Sequence, residues 1–418
     1  MSCPVQHTDD GVPLLHAVPD DVQADRERFY QAGPLTRVEL PGGVRAWATT
    51  HHEVSRATLN DPRFVKSVDH WDDYQSGRVP EGWPLMGTIP TDDSNMLALD
   101  GAAHRRMRRL IASPFSARRV ERLSPRIEEI TARALDALEP RSGQTLDLKS
   151  EFTFRVPMGV IGELYGVAES EYAQLGEMYA KLFSGTTEEG EHLEIYGALF
   201  RFFSEMVARK RASVDEHDDF TTDLLRAGED GDALSDAEIT ITLLTVVAAG
   251  HETTVNLLNN VVRALLAHPD QLAMLRRGEV TWEAVIEETL RYDPPNNVMM
   301  FRFATEDVEI GGETIRKGEA LMTHYGAATR DREEFGEDPH PAVFDPTRTR
   351  GRHISFGYGP HICPGAPLSR LEARIILPML FERFPDLRLA VPDEELQIQA
   401  ALSVTSLKEF PVVLRPRP

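Results

Sequence analysis

The stretch Phe356-Gly-Tyr-Gly-Pro-His-Ile-Cys-Pro-Gly365, followed by Ala366-Pro-Leu-Ser-Arg-Leu-Glu-Ala-Arg-Ile-Ile-Leu377, decides how the rest of this chain is read. Gly357, Gly359 and Gly365 surround one cysteine, and glycine reaches backbone conformations closed to other residues and lets N–H groups approach a neighbour closely. The neighbour expected here is the sulfur of Cys363. The run that follows has apolar residues at helical spacing, and Pro364 or Pro367 suits its first turn. Cys363 is therefore expected at the positive end of a helix, where a thiolate is favoured over a thiol and an anionic sulfur suits a metal.

A single cysteine before a helix is more often a small buried apolar residue than a ligand, and the glycine-rich setting is what reverses that. Three other motifs fail on inspection. A dinucleotide fingerprint needs a third glycine after Gly357-x-Gly359, but that place is Ile362. Structural zinc needs four ligands, and two cysteines with no CxxC pair do not supply the usual set. His251-Glu252 starts like a zinc-protease helix, yet Val255 stands where the second His belongs. The other cysteine, Cys3, is a terminal thiol, so a disulfide framework is not expected.

The chain has 418 residues, 41% of them apolar, enough for a large core, and a formal charge of −22. So acidic a protein repels phosphate backbones, which argues against nucleic acid as a partner. Met1 to Asp10 carries neither the basic nor the apolar region of a secretory signal. The most apolar run, Leu243 to Ala249, falls far short of the ~20 residues that cross a bilayer. A cytoplasmic monomer that meets no membrane is the expectation.

No repeat or long linker divides the chain, so one domain over 1–418 is expected, mainly α with small β-sheets. The helical body is placed at about 102–293 and 364–384, as in Ile127-Glu-Glu-Ile-Thr-Ala-Arg-Ala-Leu-Asp-Ala-Leu138, and the β-rich margins at about 36–49, 298–325 and 386–415. The longest helix opens with Ser235-Asp-Ala-Glu238, a capping-box pattern, and runs to about His268, before Pro269. Inside it, Ala249-Gly-His-Glu-Thr-Thr254 breaks helix rules: Gly250 costs about 1 kcal/mol relative to Ala, and threonines bond back to carbonyls. Broken local rules in a buried helix often mark a functional site.

Phe356 to Gly365 resembles the heme-binding motif of the cytochrome P-450 superfamily in its bacterial, actinobacterial-type form, whose heme is held by a cysteine thiolate. Glu288-Thr-Leu-Arg291 resembles the family's Glu-x-x-Arg helix, and Ala249 to Thr254 its oxygen-activating turn. His104 and Arg108 resemble its propionate-binding pair, with Arg302 and His361 where further propionate partners are expected. Pro364 directly after the cysteine and Ser369 in place of Ala are small departures.

The resemblance implies a long central helix over heme b, with Cys363 as its protein ligand to iron. Phe356, Gly357, Gly365 and Ala249 line the cofactor, while His104, Arg108, Arg302 and His361 hold its carboxylates, which need charge-assisted partners once buried. Glu252 and Thr253 deliver protons, and Glu288 with Arg291 is a structural pair that helps fix the cysteine loop. The implied reaction inserts one atom of O2 into a bulky lipophilic molecule of steroid or polyketide macrolactone class. Leu85, Met86, Met96, Leu243, Val247, Val298, Met299 and Leu402 are its expected pocket. Electrons come from NAD(P)H through a ferredoxin reductase and a ferredoxin. The ferredoxin is steered by seven arginines between Arg105 and Arg122: Arg105, Arg106, Arg108, Arg109, Arg118, Arg119 and Arg122. A peroxide-driven enzyme of the same fold and a non-catalytic heme protein are the alternatives; Glu252-Thr253 counts against the first.

Overall fold

The computed structural model describes residues 11–15, 21–112, 115–182, 189–229, 232–399 and 403–414. Cys3 and Leu402 lie outside the described residues. Helices dominate, as expected, and the strands are short. In the helix Ser124–Leu138, Ile127, Ile130, Thr131, Leu135 and Leu138 are buried, the i, i+3, i+4, i+8 spacing that puts one stripe against the core.

The central helix is Asp236–Ala267, capped as its sequence predicts: Ser235 Oγ accepts from the Glu238 N–H (3.2 Å) and Glu238 accepts from the Ser235 N–H (2.8 Å). Its 32 residues span about 48 Å. As a whole it is long and apolar enough to cross a membrane, which counting the run Leu243 to Ala249 alone misses. Its most apolar window is 61% buried among the other helices, so that apolar length is spent on protein contacts. The cysteine helix, Ala366–Arg383, and the helix Trp282–Tyr292 pack on it.

Strands β1 (Leu35–Leu40), β2 (Val44–Thr49), β3 (Phe64–Val65), β7 (Met299–Ala304) and β10 (Ala320–Thr323) make a five-stranded sheet in the order β1-β2-β10-β7-β3, parallel only between β2 and β10. This sheet carries Arg302 on β7. β4 (Thr145–Asp147) joins β11 (Arg388–Leu389) and β12 (Pro411–Val413), and two hairpins pair β5 (Gly228–Glu229) with β6 (Asp232–Ala233) and β8 (Val308–Ile310) with β9 (Glu313–Ile315). The β8–β9 turn is Gly311-Gly312, inside the margin expected to be β-rich, with both residues at positive φ (62° and 85°), as a tight hairpin turn requires. β4, β5 and β6 fall inside the stretch expected to be helical; each has two or three residues, too few to show a period-2 pattern.

Candidate active site

Cys363 is fixed by its own loop. Its N–H donates to the Phe356 carbonyl (2.8 Å), and a single 3-10 turn, Gly359–His361, lies between them. Gly357 and Gly359 take positive φ (76° and 72°), and a Cβ on Gly359 would come within 2.8 Å of the Leu59 carbonyl. Gly365 has an ordinary φ of −79°, so the expectation of a special backbone conformation fails there. Pro367, not Pro364, occupies the first turn of the cysteine helix. The N–H groups of Gly365 and Ala366 donate to the sulfur, as the glycine pattern predicts. Burial pushes the Cys363 thiol up, while these two donors and the charges of Arg108 and Arg370 pull it down. An electrophilic metal ion supplies what is missing for a thiolate.

His104, Arg108, Arg302 and His361, far apart in sequence, converge. The His104 and His361 rings lie 4.0 Å apart between centroids, and His361 Nε2 is 3.6 Å from Asp100. Burial, then the charges of His361 and Arg108, brings His104 down to about 4; burial also lowers His361 against the pull of Asp100. Both rings are thus mainly neutral donors at pH 7, and the arginines carry the charge. His104 Nε2 and Arg302 Nε are buried without a hydrogen-bond partner among the described residues. Orphaned buried donors beside arginines fit a group that brings carboxylates, as heme does.

The middle of the central helix opens. Leu243 and Leu244 before it and Thr254 to Leu258 after it are buried, yet Ala248 and Ala249 are exposed, and a Cβ on Gly250 would meet nothing within 4 Å. An open face in the middle of a core helix is a cavity wall, and small side chains keep it clear. Thr253 Oγ donates back to the Ala249 carbonyl (2.6 Å) at this opening. Glu252 points elsewhere: it is buried, accepts from Ser406 Oγ (2.9 Å) and lies 3.6 Å from Lys149 Nζ, which itself donates to Ser406 Oγ (2.8 Å). Lys149 begins a π-helix, Lys149–Thr153, a rare form often found at functional sites. Neither Ser406 nor Lys149 carries any sequence signal.

Glu288 and Arg291 form a buried two-point pair (2.7 Å each). Arg291 also donates to the carbonyls of Thr329, Pro341 and Val343, and the Asp345 N–H donates to Glu288. The pair therefore holds residues 329–345 rather than the cysteine loop itself. The loop's anchor is the neighbouring Glu287, which reasoning from sequence missed. It accepts from Arg370 (2.5 and 2.9 Å) and lies 3.0 Å from His353 Nε2, spanning both sides of Cys363. Burial alone raises Glu287, but these two partners outweigh it and hold the carboxyl at about 2. Arg370 also stacks over Phe356, 4.5 Å from its centroid.

The expected pocket is corrected in part. Leu243, Val247 and Val298 have essentially no accessible surface and belong to the core. The open face of the central helix carries Val246, Ala249, Gly250 and Thr253 instead, one residue round from the expected set. Leu85, Met86 and Met96 are half-buried and Met299 is 38% exposed.

The seven arginines do not form one open cationic patch. Arg106 pairs with Asp232 and Glu238, Arg109 with Asp232, Arg119 with Asp218 and Asp223, and Arg122 lies 4.0 Å from Asp218. Arg108 is half-buried and feels the charge of Cys363. Arg105 and Arg118 remain exposed and without an ion pair among the described residues.

The family model described as Cytochrome P450 matches residues 158–399. Over 404 residues the chain is 39% identical to Cytochrome P450 107B1 of Saccharopolyspora erythraea, covering 96% of this chain and 98% of that protein. Among solved structures it is similar to CYP154C4 from Streptomyces sp. W2061, with a TM-score of 0.89 and 44% identity over 97% of this chain and 98% of that one. The "Testerone bound" CYP154C4 from Streptomyces sp. ATCC 11861 gives a TM-score of 0.90 and 45% identity over 96% and 98%.

Proposed function

This chain belongs to the cytochrome P450 family of heme-dependent monooxygenases, and on that premise we propose that it hydroxylates a steroid-sized lipophilic molecule, with Cys363 as iron ligand and Glu252 and Thr253 delivering protons. Bound heme would supply the oxygen chemistry, in which one O2, two electrons and two protons put one oxygen atom into the product and release the other as water.

The observation that carries this reading is a sulfur held by two backbone N–H groups in a chain whose central helix opens at Ala248 to Gly250 and Thr253. Cys363 binds iron as a thiolate, favoured by Gly365 N–H, Ala366 N–H, Arg108 and Arg370. His104, Arg108, Arg302 and His361 hold the carboxylates, and Phe356, Gly357, Gly365 and Ala249 line the cofactor. Glu252 takes up protons from the Lys149–Ser406 side. The Thr253 hydroxyl, now donating to Ala249, has to turn from that carbonyl to pass a proton at Oγ1 to the open face.

A steroid-sized substrate is supported by the similarity to the "Testerone bound" CYP154C4 chain and by the apolar, adaptable set Leu85, Met86, Met96, Met299 and Val246. Electrons come from a separate ferredoxin that meets Arg105 and Arg118, and the enzyme works in the cytoplasm. The test is a titration of the purified holoenzyme with steroids and, in parallel, macrolactones. The expected result is a substrate-induced shift of the main heme absorption with at least one steroid, and NADH-dependent hydroxylated product with a generic ferredoxin and reductase. A shift and product with macrolactones alone would overturn the steroid assignment.

A further inference from the structure

Lys66 follows β3 directly and is tied to the carboxylate-binding cluster by both of its nitrogens. Its N–H donates to Asp100 Oδ2 (2.5 Å), and its ammonium donates to the carbonyl of Phe301 (3.2 Å), the residue before Arg302 on β7. Arg302 reciprocates by donating to the carbonyl of Phe64 on β3 (3.2 Å). The pairing of β3 with β7, Phe64 opposite Ala304 and Val65 opposite Phe303, thus brings the two cations together. Each lies within electrostatic range of the other, and His361 feels both.

The charge count around this point does not close. Among the described residues, Lys66, Arg302 and Arg108, with His104 and His361, gather around the carboxylate of Asp100, while Arg302 Nε and His104 Nε2 have no hydrogen-bond partner there. Like charges out of water with unsatisfied donors are strongly unfavourable unless a further anion joins them. Burial and then repulsion from Arg302 bring the Lys66 ammonium down to about 7, against the pull of Asp100, and an entering carboxylate restores its charge.

We propose that Lys66 is a further heme-binding residue, whose ammonium joins Arg302, Arg108, His104 and His361 in holding the cofactor's carboxylates. This rests on the heme reading above and adds a cation that the family resemblance does not assign. The test compares full-length holoenzymes carrying Lys66→Met, Lys66→Arg and, as an equal change of charge on an exposed turn, Lys317→Met. Two quantities are read: the rate of heme loss to excess apomyoglobin and the midpoint reduction potential without substrate. Lys66→Met is expected to lose heme about tenfold faster, the worth of one charge-assisted hydrogen bond. Its potential also moves negative, because a cation favours the reduced, more negative cofactor. Lys66→Arg and Lys317→Met stay near the unmodified protein. Lys66→Gln, which keeps a donor and drops only the charge, carries the same comparison if Lys66→Met does not fold. Unchanged heme loss and potential in the neutral variant, with heme well held in the unmodified chain, would overturn the role of Lys66 alone. An unmodified chain that retains no heme would overturn the heme reading and this inference together.

Discussion

Glu252 and Thr253 are adjacent in sequence but live in different surroundings, the acid against Ser406 and Lys149 and the alcohol at the opening of the central helix. Two variants separate their roles. Thr253→Ala is expected to keep heme and substrate binding while diverting most reducing equivalents to hydrogen peroxide, measured as peroxide formed per NADH consumed; full coupling would discredit the assignment. Ser406→Ala removes the hydroxyl that donates to Glu252, and turnover should slow about tenfold, as loss of one hydrogen bond to a charged group predicts. That slowing comes with a larger solvent isotope effect, and an unchanged isotope effect would assign Ser406 to packing only. Glu372, on the cysteine helix, is a third residue with its own signature. Burial pushes its carboxyl up to about 8, and its Oε2 has no partner among the described residues. The unfolded chain ionises this group near pH 4, so between about pH 4 and 8 the folded chain binds more protons and stability falls as pH rises. Glu372→Gln removes that loss: little change is expected below pH 4 and a gain of up to a few kcal/mol by pH 8. Denaturant melts at pH 5 and pH 8 check it, and equal gains at both would count against the buried acid.

Among the elements, those whose ends or turns carry special chemistry are legible in the sequence: the capped start of the central helix at Ser235, the Gly311-Gly312 hairpin and the turn around Cys363. What was misjudged follows from missing contrast. The central helix is buried on nearly every side, so it has no polar face to set its phase, and Leu243 and Val247 look as suitable for a pocket as Val246. Only the small residues Ala248, Ala249 and Gly250 mark the open side. Lys149, Ser406 and Lys66 were invisible because their partners lie on other elements, up to 257 residues away for Lys149 and Ser406. The pair Glu288–Arg291 was legible as a motif, but its object was not, since Arg291 reaches carbonyls 38 to 52 residues further on. That geometry predicts that Arg291→Lys, despite keeping the charge, is severe. A lysine ammonium cannot bridge both carboxylate oxygens and three carbonyls at once. A loss of about 3–5 kcal/mol is expected, as for other broken buried pairs, read from urea melts. A loss under about 1 kcal/mol would show that the segment 329–345 is held by other contacts.

At the scale of the whole molecule, the proposed acidic ferredoxin would have to meet a chain whose own formal charge is −22. Most of the arginines between Arg105 and Arg122 are spent on Asp218, Asp223, Asp232 and Glu238, so they bind this chain to itself and add little outward field. Arg105 and Arg118 are the two exposed arginines of that stretch with no ion pair among the described residues. Beyond about 8–10 Å, charges are screened at physiological salt, so docking depends on the local cations more than on the distant surplus of carboxylates. Arg105→Glu with Arg118→Glu should therefore slow reduction by an acidic ferredoxin about tenfold at low salt. The deficit should shrink toward nothing near 0.5 M salt, where the screening length is only a few ångström. Arg106→Gln and Arg109→Gln made together with Asp232→Asn and Glu238→Gln, which removes the ion pairs whole and leaves the net charge unchanged, should leave that rate within about twofold. Stopped-flow reduction across a salt series distinguishes the two sets. Equal slowing by both would mean that the paired side chains themselves meet the donor, whereas no effect of the first set would move the docking face away from this helix altogether.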